Sequence, residues 1–166
     1  MKKEKFSMTL TTTNKPHYQL KLKLKYGLIA YFLLFITQII IFYILKYFGI
    51  IDDLNTDSKT HEYLTFSKLF IIAFLFAPIF EELLFRKFLW SFVRKNIVNN
   101  IYVSALLISV PFGLLHGYPN GIVLISSGLI FCWLYYKAKC IYTNIIIHAL
   151  YNISLLLIYL INISIN

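Results

Sequence analysis

At 166 residues the chain has room for one domain, but 59% of it is hydrophobic and only 14% charged, where a soluble domain carries about a quarter charged residues. With a mean hydropathy of +0.71, this excludes an ordinary soluble enzyme and indicates an all-α, polytopic membrane helical bundle, since lipid leaves helices to satisfy their own backbone groups. The net charge of +9 lies in short segments between apolar runs, with no basic stripe bearing base-stacking aromatics, so it is read as topology and nucleic acid is not expected as a partner. Cys132 and Cys140 are eight apart without CxxC spacing, which supports neither a disulfide framework nor a thiolate metal site.

In chain order, residues 1–25 form a basic cytoplasmic tail ending in the alternating run Leu20-Lys21-Leu22-Lys23-Leu24-Lys25, suited to anionic headgroups at about 1 kcal/mol per basic residue. Residues 26–166 form the membrane domain. Tyr26 to Phe48 is too long for the apolar core of a signal peptide and lacks a small-residue cleavage site, so it is expected to be the first transmembrane helix. Gly49 to Phe66 is a polar loop carrying Asp52, Asp53, Asp57 and Glu62. Four further helices are expected: Leu69 to about Val93, Ile101 to His116, Ile122 to Tyr136 and Ile141 to Ile161, with turns at Asn96–Asn100 and Gly117–Gly121. The tail, the segment Arg86 to Lys95 and the Lys137/Lys139 turn hold 13 of the 16 Lys and Arg residues. Five spans with the N-terminus cytoplasmic and the C-terminus outside follow from that bias.

Ionisable groups inside a membrane segment cost roughly 2.5–3.5 kcal/mol each on insertion scales, which makes them site candidates. The second helix contains Glu81, Glu82 and Arg86. At about 100° per residue, Arg86 falls on the face of Glu82, an i,i+4 pair with the glutamate on the favourable side, and Glu81 points elsewhere without a local counter-charge. Phe112 and His116 share a face of the third helix just after Pro111, and His148 and Asn152 share a face of the fifth, with Asn144 one turn earlier. If the hairpin between the second and third helices turns near Ile97, Glu81 and His116 return to one depth at about 1.5 Å per residue. His148 reaches that depth only if the hairpin projects further or the fifth helix tilts. A carboxylate, two imidazoles and a carboxamide converging in low dielectric suit hydrolysis, with Glu81 as general base near neutral pH and Asn152, helped by His148, binding a carbonyl oxygen.

Glu81-Glu82-x-x-x-Arg86, Phe112-x-x-x-His116 and His148-x-x-x-Asn152, in that order on successive apolar segments, resemble the three motifs of the CAAX protease and bacteriocin-processing (CPBP, or Abi) family of intramembrane proteases. The resemblance covers about half the chain and puts the catalytic core at about residues 67–160. It implies that Glu81 and His116 activate water and that His148 and Asn152 stabilise the oxyanion, with Glu82, Arg86 and Phe112 in support. It implies a peptide or membrane-protein substrate reached from the bilayer. Prenylated CAAX tails, peptide maturation, bacteriocin self-immunity and surface-protein display all occur among such proteins, and the residues select none of them. Family members commonly have more than five spans, so this chain is close to a minimal core. A Glu with two His could hold zinc in an open site, but no HExxH spacing is present, so a metal-free reaction without cofactor is the preferred expectation. The competing reading is a non-catalytic immunity or scaffold protein of the same fold.

Overall fold

A computed structural model describes residues 16–50, 76–117 and 120–165. Five helical stretches make up these segments, and no strand occurs among the described residues. They are α1 (Pro16–Tyr47), α2 (residues 76–96), α3 (Ile101–Leu114), α4 (Asn120–Ala138) and α5 (Ile141–Ile165). Three of them are long and apolar enough to cross a membrane over Gln19–Tyr47, Gly121–Ala138 and Ile141–Ile158, and α3 is a shorter apolar helix. The acidic loop expected after the first span, the start of the second helix at Leu69 and the turn residues Tyr118 and Pro119 lie outside the described residues.

The boundaries differ from expectation in physically informative ways. Helix α1 begins at Pro16, ten residues before the expected span, so Lys21, Lys23 and Lys25 of the expected tail are helical and continuous with that span. Proline suits a first helical position because its missing N–H is unpaired there in any case. Helix α3 stops at Leu114, and His116 lies in the turn beyond it, where Gly117 takes a φ of 76°. Helix α4 starts two residues before Ile122, and α5 continues to Ile165.

Helix α2 departs from regular geometry: Leu83–Leu89 is π-helical before α-helix resumes over Trp90–Asn96. The Trp90 amide accordingly donates to the Phe85 carbonyl, five residues back. Such wide turns are rare and recur at functional sites. The hairpin that follows is closed by Asn100, whose side chain accepts from the Tyr102 and Val103 amides at 2.9 and 3.2 Å and so caps α3. Arg94 donates to Asn99 Oδ1 at 2.8 Å across the same hairpin.

Helix α4 is the centre of the bundle, with α1, α3, α5 and the π segment all packed against it. Its contact with α3 is made by small residues. A Cβ at Gly113 would overlap the Gly121 carbonyl oxygen, and one at Gly128 would stand 2.8 Å from Ser109 Cβ. Lipid supplies no hydrophobic drive between helices, so close backbone approach of this kind carries the association. On the other side of α4, Ala30 and Leu34 of α1 pack with Phe131, Leu134, Ile147 and Tyr151. Polar contacts reinforce α1: Gln38 donates to the Val123 carbonyl and to Ser127 Oγ on α4, and Tyr31 and Ser154 hydroxyls meet at 2.6 Å.

Candidate active site

The site is built where α2, α3 and α5 meet around α4. Glu81 and Glu82 are neighbours on α2, about 100° apart around its axis, and they have different surroundings. Glu82 and Arg86 are fully buried, and Arg86 Nη1 lies 3.3 Å from Glu82 Oε1. The angle is outside hydrogen-bonding range, since Nη1 and Nε of Arg86 make no hydrogen bond, so the pair is held by charge. Arg86 Nη2 donates to the Gly128 carbonyl on α4 at 3.1 Å. The guanidinium also sits over the rings of Phe112 at 4.7 Å and Phe131 at 5.2 Å. This desolvated, aromatic setting favours arginine, whose planar and weakly hydrated group stacks where an ammonium would not. Phe112 is thereby explained as a cover for Arg86, braced edge-on by Phe85 at 5.1 Å.

Glu82 also binds α5. His148 Nδ1 donates to Glu82 Oε1 at 2.9 Å, and Asn144 Nδ2 donates to Glu82 Oε2 at 3.1 Å. The His148 ring stacks on Phe131 at 4.5 Å. Asn144 was legible only as a neighbour on the face of His148; the structure makes it a direct partner of the glutamate.

The open half of the site contains Glu81, whose side chain is 27% exposed, and His116, whose side chain is 35% exposed. The His116 Nδ1 donates to the Phe112 carbonyl at 2.8 Å, four residues back, which satisfies one of the orphan carbonyls at the end of α3. Because that partner can only accept, Nδ1 carries the proton, and in the neutral ring Nε2 keeps its lone pair. The same logic holds for His148, whose Nδ1 faces a carboxylate. Both Nε2 atoms turn to Glu81: His116 Nε2 is 4.0 Å from Oε1, and His148 Nε2 is 3.7 Å from Oε2. These distances are too long for direct hydrogen bonds. A water about 2.8 Å from both partners of either pair would subtend roughly 90° at its oxygen.

The expected set is thus brought together in part. Glu81, Glu82, Arg86, His116 and His148 form one contiguous cluster. Asn152 lies one turn beyond His148 on the same face of α5, half-buried, and its side chain makes no hydrogen bond to another described residue. His148 reaches the depth of the α2 glutamates, 3.7 Å from Glu81 and 2.9 Å from Glu82. Among the described residues no group of three His, Cys, Asp or Glu side chains is gathered closely enough to hold a metal ion.

Comparison with known proteins places the chain in a family. The Bacillus subtilis (strain 168) protein named "Putative membrane peptidase YdiL" is 30% identical over 83 residues, which are 49% of this chain and 33% of the relative. The chain therefore spans about a third of the length of that curated relative. No solved structure matches. Over residues 64–154, more than half of the chain and inclusive of every residue from Glu81 to Asn152, the sequence matches the family described as Type II CAAX prenyl endopeptidase Rce1-like. On that match the chain belongs to this Rce1-like family of CAAX-protease-like (CPBP) proteins.

Proposed function

We propose that the protein is an intramembrane endopeptidase that cleaves a peptide bond with water activated by Glu81. The observation that supports this reading is the pair of imidazoles facing one carboxylate, each with its Nδ1 already engaged and its Nε2 turned to Glu81 at 4.0 or 3.7 Å. A water bridging Glu81 and His116 is polarised by two acceptors, and Glu81 takes its proton as the oxygen attacks the scissile carbonyl. The tetrahedral oxyanion then accepts hydrogen bonds from Asn152 Nδ2 and His148 Nε2. For that donation His148 carries both ring protons, and Glu82 supports the resulting positive charge from the Nδ1 side. Collapse of the intermediate expels the amine, which receives the proton held by Glu81.

The substrate is a peptide or membrane protein that enters from the bilayer, and the basic segments put the N-terminus in the cytoplasm and the C-terminus outside. No metal takes part in this scheme. The test compares membrane-associated and secreted peptides from source cells carrying wild type or Glu81→Gln at matched protein levels, by terminus-resolved mass spectrometry. A peptide terminus present only with wild type, formed equally well in the presence of a zinc chelator, is the expected result. Identical peptide sets, with any wild-type phenotype retained by the variant, would sink the catalytic reading in favour of a binding protein. Loss of the terminus on chelation would replace the metal-free scheme with a zinc one.

A further inference from the structure

Asn144 is fully buried, and its two amide hydrogens go to two acceptors: Glu82 Oε2 at 3.1 Å and the Phe131 carbonyl at 2.8 Å. Both partners accept only, so the amide has one permissible orientation, and its Oδ1 is left buried with no partner. An orphaned acceptor is costly, and a residue serving packing alone at this position would be apolar. The polar side chain therefore does something that Leu could not. It ties the Glu82 carboxylate to the backbone of α4, and the other oxygen of that carboxylate is the acceptor for His148 Nδ1 at 2.9 Å.

We propose that Asn144 is a positioning residue: by clamping Glu82 against the Phe131 carbonyl it keeps the Nδ1 proton on His148 and thereby aims Nε2 at Glu81. The functional value of that aim rests on the peptidase reading above; the clamp itself does not. Arg86 cannot substitute for Asn144, because its Nη1 approaches Oε1 without a hydrogen bond. With the Oε2 anchor removed, the carboxylate loses one of its two hydrogen bonds, and its terminal torsion is held by His148 and the Arg86 charge alone, so Oε1 is less firmly fixed on the His148 ring. Orientation of an imidazole by a supported carboxylate is the arrangement that sets tautomers at metal sites, where loss of the support costs about 10- to 100-fold.

The experiment is 15N NMR of the full chain, labelled at histidine, in bilayer discs of phosphatidylcholine and phosphatidylglycerol. His148 is assigned by its absence in His148→Gln. Wild type is expected to keep Nδ1 protonated throughout a pH titration. Asn144→Leu, close in volume but unable to donate, is expected to lose the Nδ1 proton from part of the neutral population, with helix content and the His116 signals unchanged. The rate of release of the wild-type peptide terminus should fall about 10- to 100-fold in that variant, with little change in KM. Asn144→Ser, a smaller change, serves if Asn144→Leu does not fold. Full Nδ1 occupancy in a folded variant overturns the proposal, and so does failure of both variants to fold, which would make Asn144 a folding residue. If wild type releases no peptide but Asn144→Leu still shifts the proton, the peptidase reading fails and the clamp stands.

Discussion

Glu81 and Glu82 are chemically identical neighbours, and the two halves of the site that they head differ in nearly every other respect. Around Glu82 the carboxylate is fully buried, with a charge partner in Arg86 and hydrogen bonds from His148 and Asn144. Around Glu81 the carboxylate is partly open, and among the described residues its charged neighbours are two imidazoles, neither within hydrogen-bonding distance. Glu82 is held by a cation and two hydrogen-bond donors, whereas Glu81 lies near two imidazoles and is bonded to neither. The difference between an enclosed, engaged carboxylate and an open one is thus produced by one residue step around a helix.

Four substitutions test that division, from the largest expected effect to the smallest. Glu82→Leu leaves Arg86 buried without a counter-charge and should destabilise the fold by about 3–5 kcal/mol, read from thermal unfolding in detergent. If that variant were as stable as wild type, the inner half would not be a scaffold. Gly128→Ala drives a Cβ to 2.8 Å from Ser109 Cβ and should cost about 1–3 kcal/mol by parting α3 from α4. Because the Gly128 carbonyl accepts from Arg86, peptide release should fall with it. Phe112→Leu removes the ring over Arg86 and its edge-on contact with Phe85, for about 1–1.5 kcal/mol. The backbone carbonyl that holds His116 is untouched, so the His116 15N spectrum should not move, and a changed spectrum would mean that the two halves are coupled. Glu81→Gln should shift stability by less than about 0.5 kcal/mol while abolishing peptide release. A large loss of stability there would erase the distinction between the two glutamates.

The division itself was legible in the sequence, because helical periodicity separates Glu81 from Glu82 and pairs Glu82 with Arg86. The meeting of Glu81 with His116 was legible too, since it needs only a hairpin and a rise per residue. The position of His148 depended on how far that hairpin projects or how far the fifth helix tilts, neither of which composition encodes. Three other features were hidden. Leu83–Leu89 contains no proline or glycine to announce a π turn. Gly113 and Gly128 sit in runs so apolar that no polar face shows which side meets a neighbour, and Gly121 read as a turn residue alone. Asn144 lies on the correct face, but its partners are 62 and 13 residues away, and only packing reveals them.

The π turn has a consequence for how this chain tolerates length changes. Seven residues wound five to a hydrogen bond occupy about the rise of six in an α-helix, so α2 carries close to one surplus residue between Glu82 and Trp90. Removing one residue from Leu83–Leu89 should therefore leave an unbroken, regular helix of ordinary stability. Because the wide turn absorbs the surplus residue, Glu82 and the core face of Trp90 and Val93 would keep nearly their present relative orientation, and only the side chains within the shortened segment would change face. A shortened chain of that kind would still insert and pack, with the carboxylates facing their present neighbours and Phe85 and Arg86 the residues whose register is at stake.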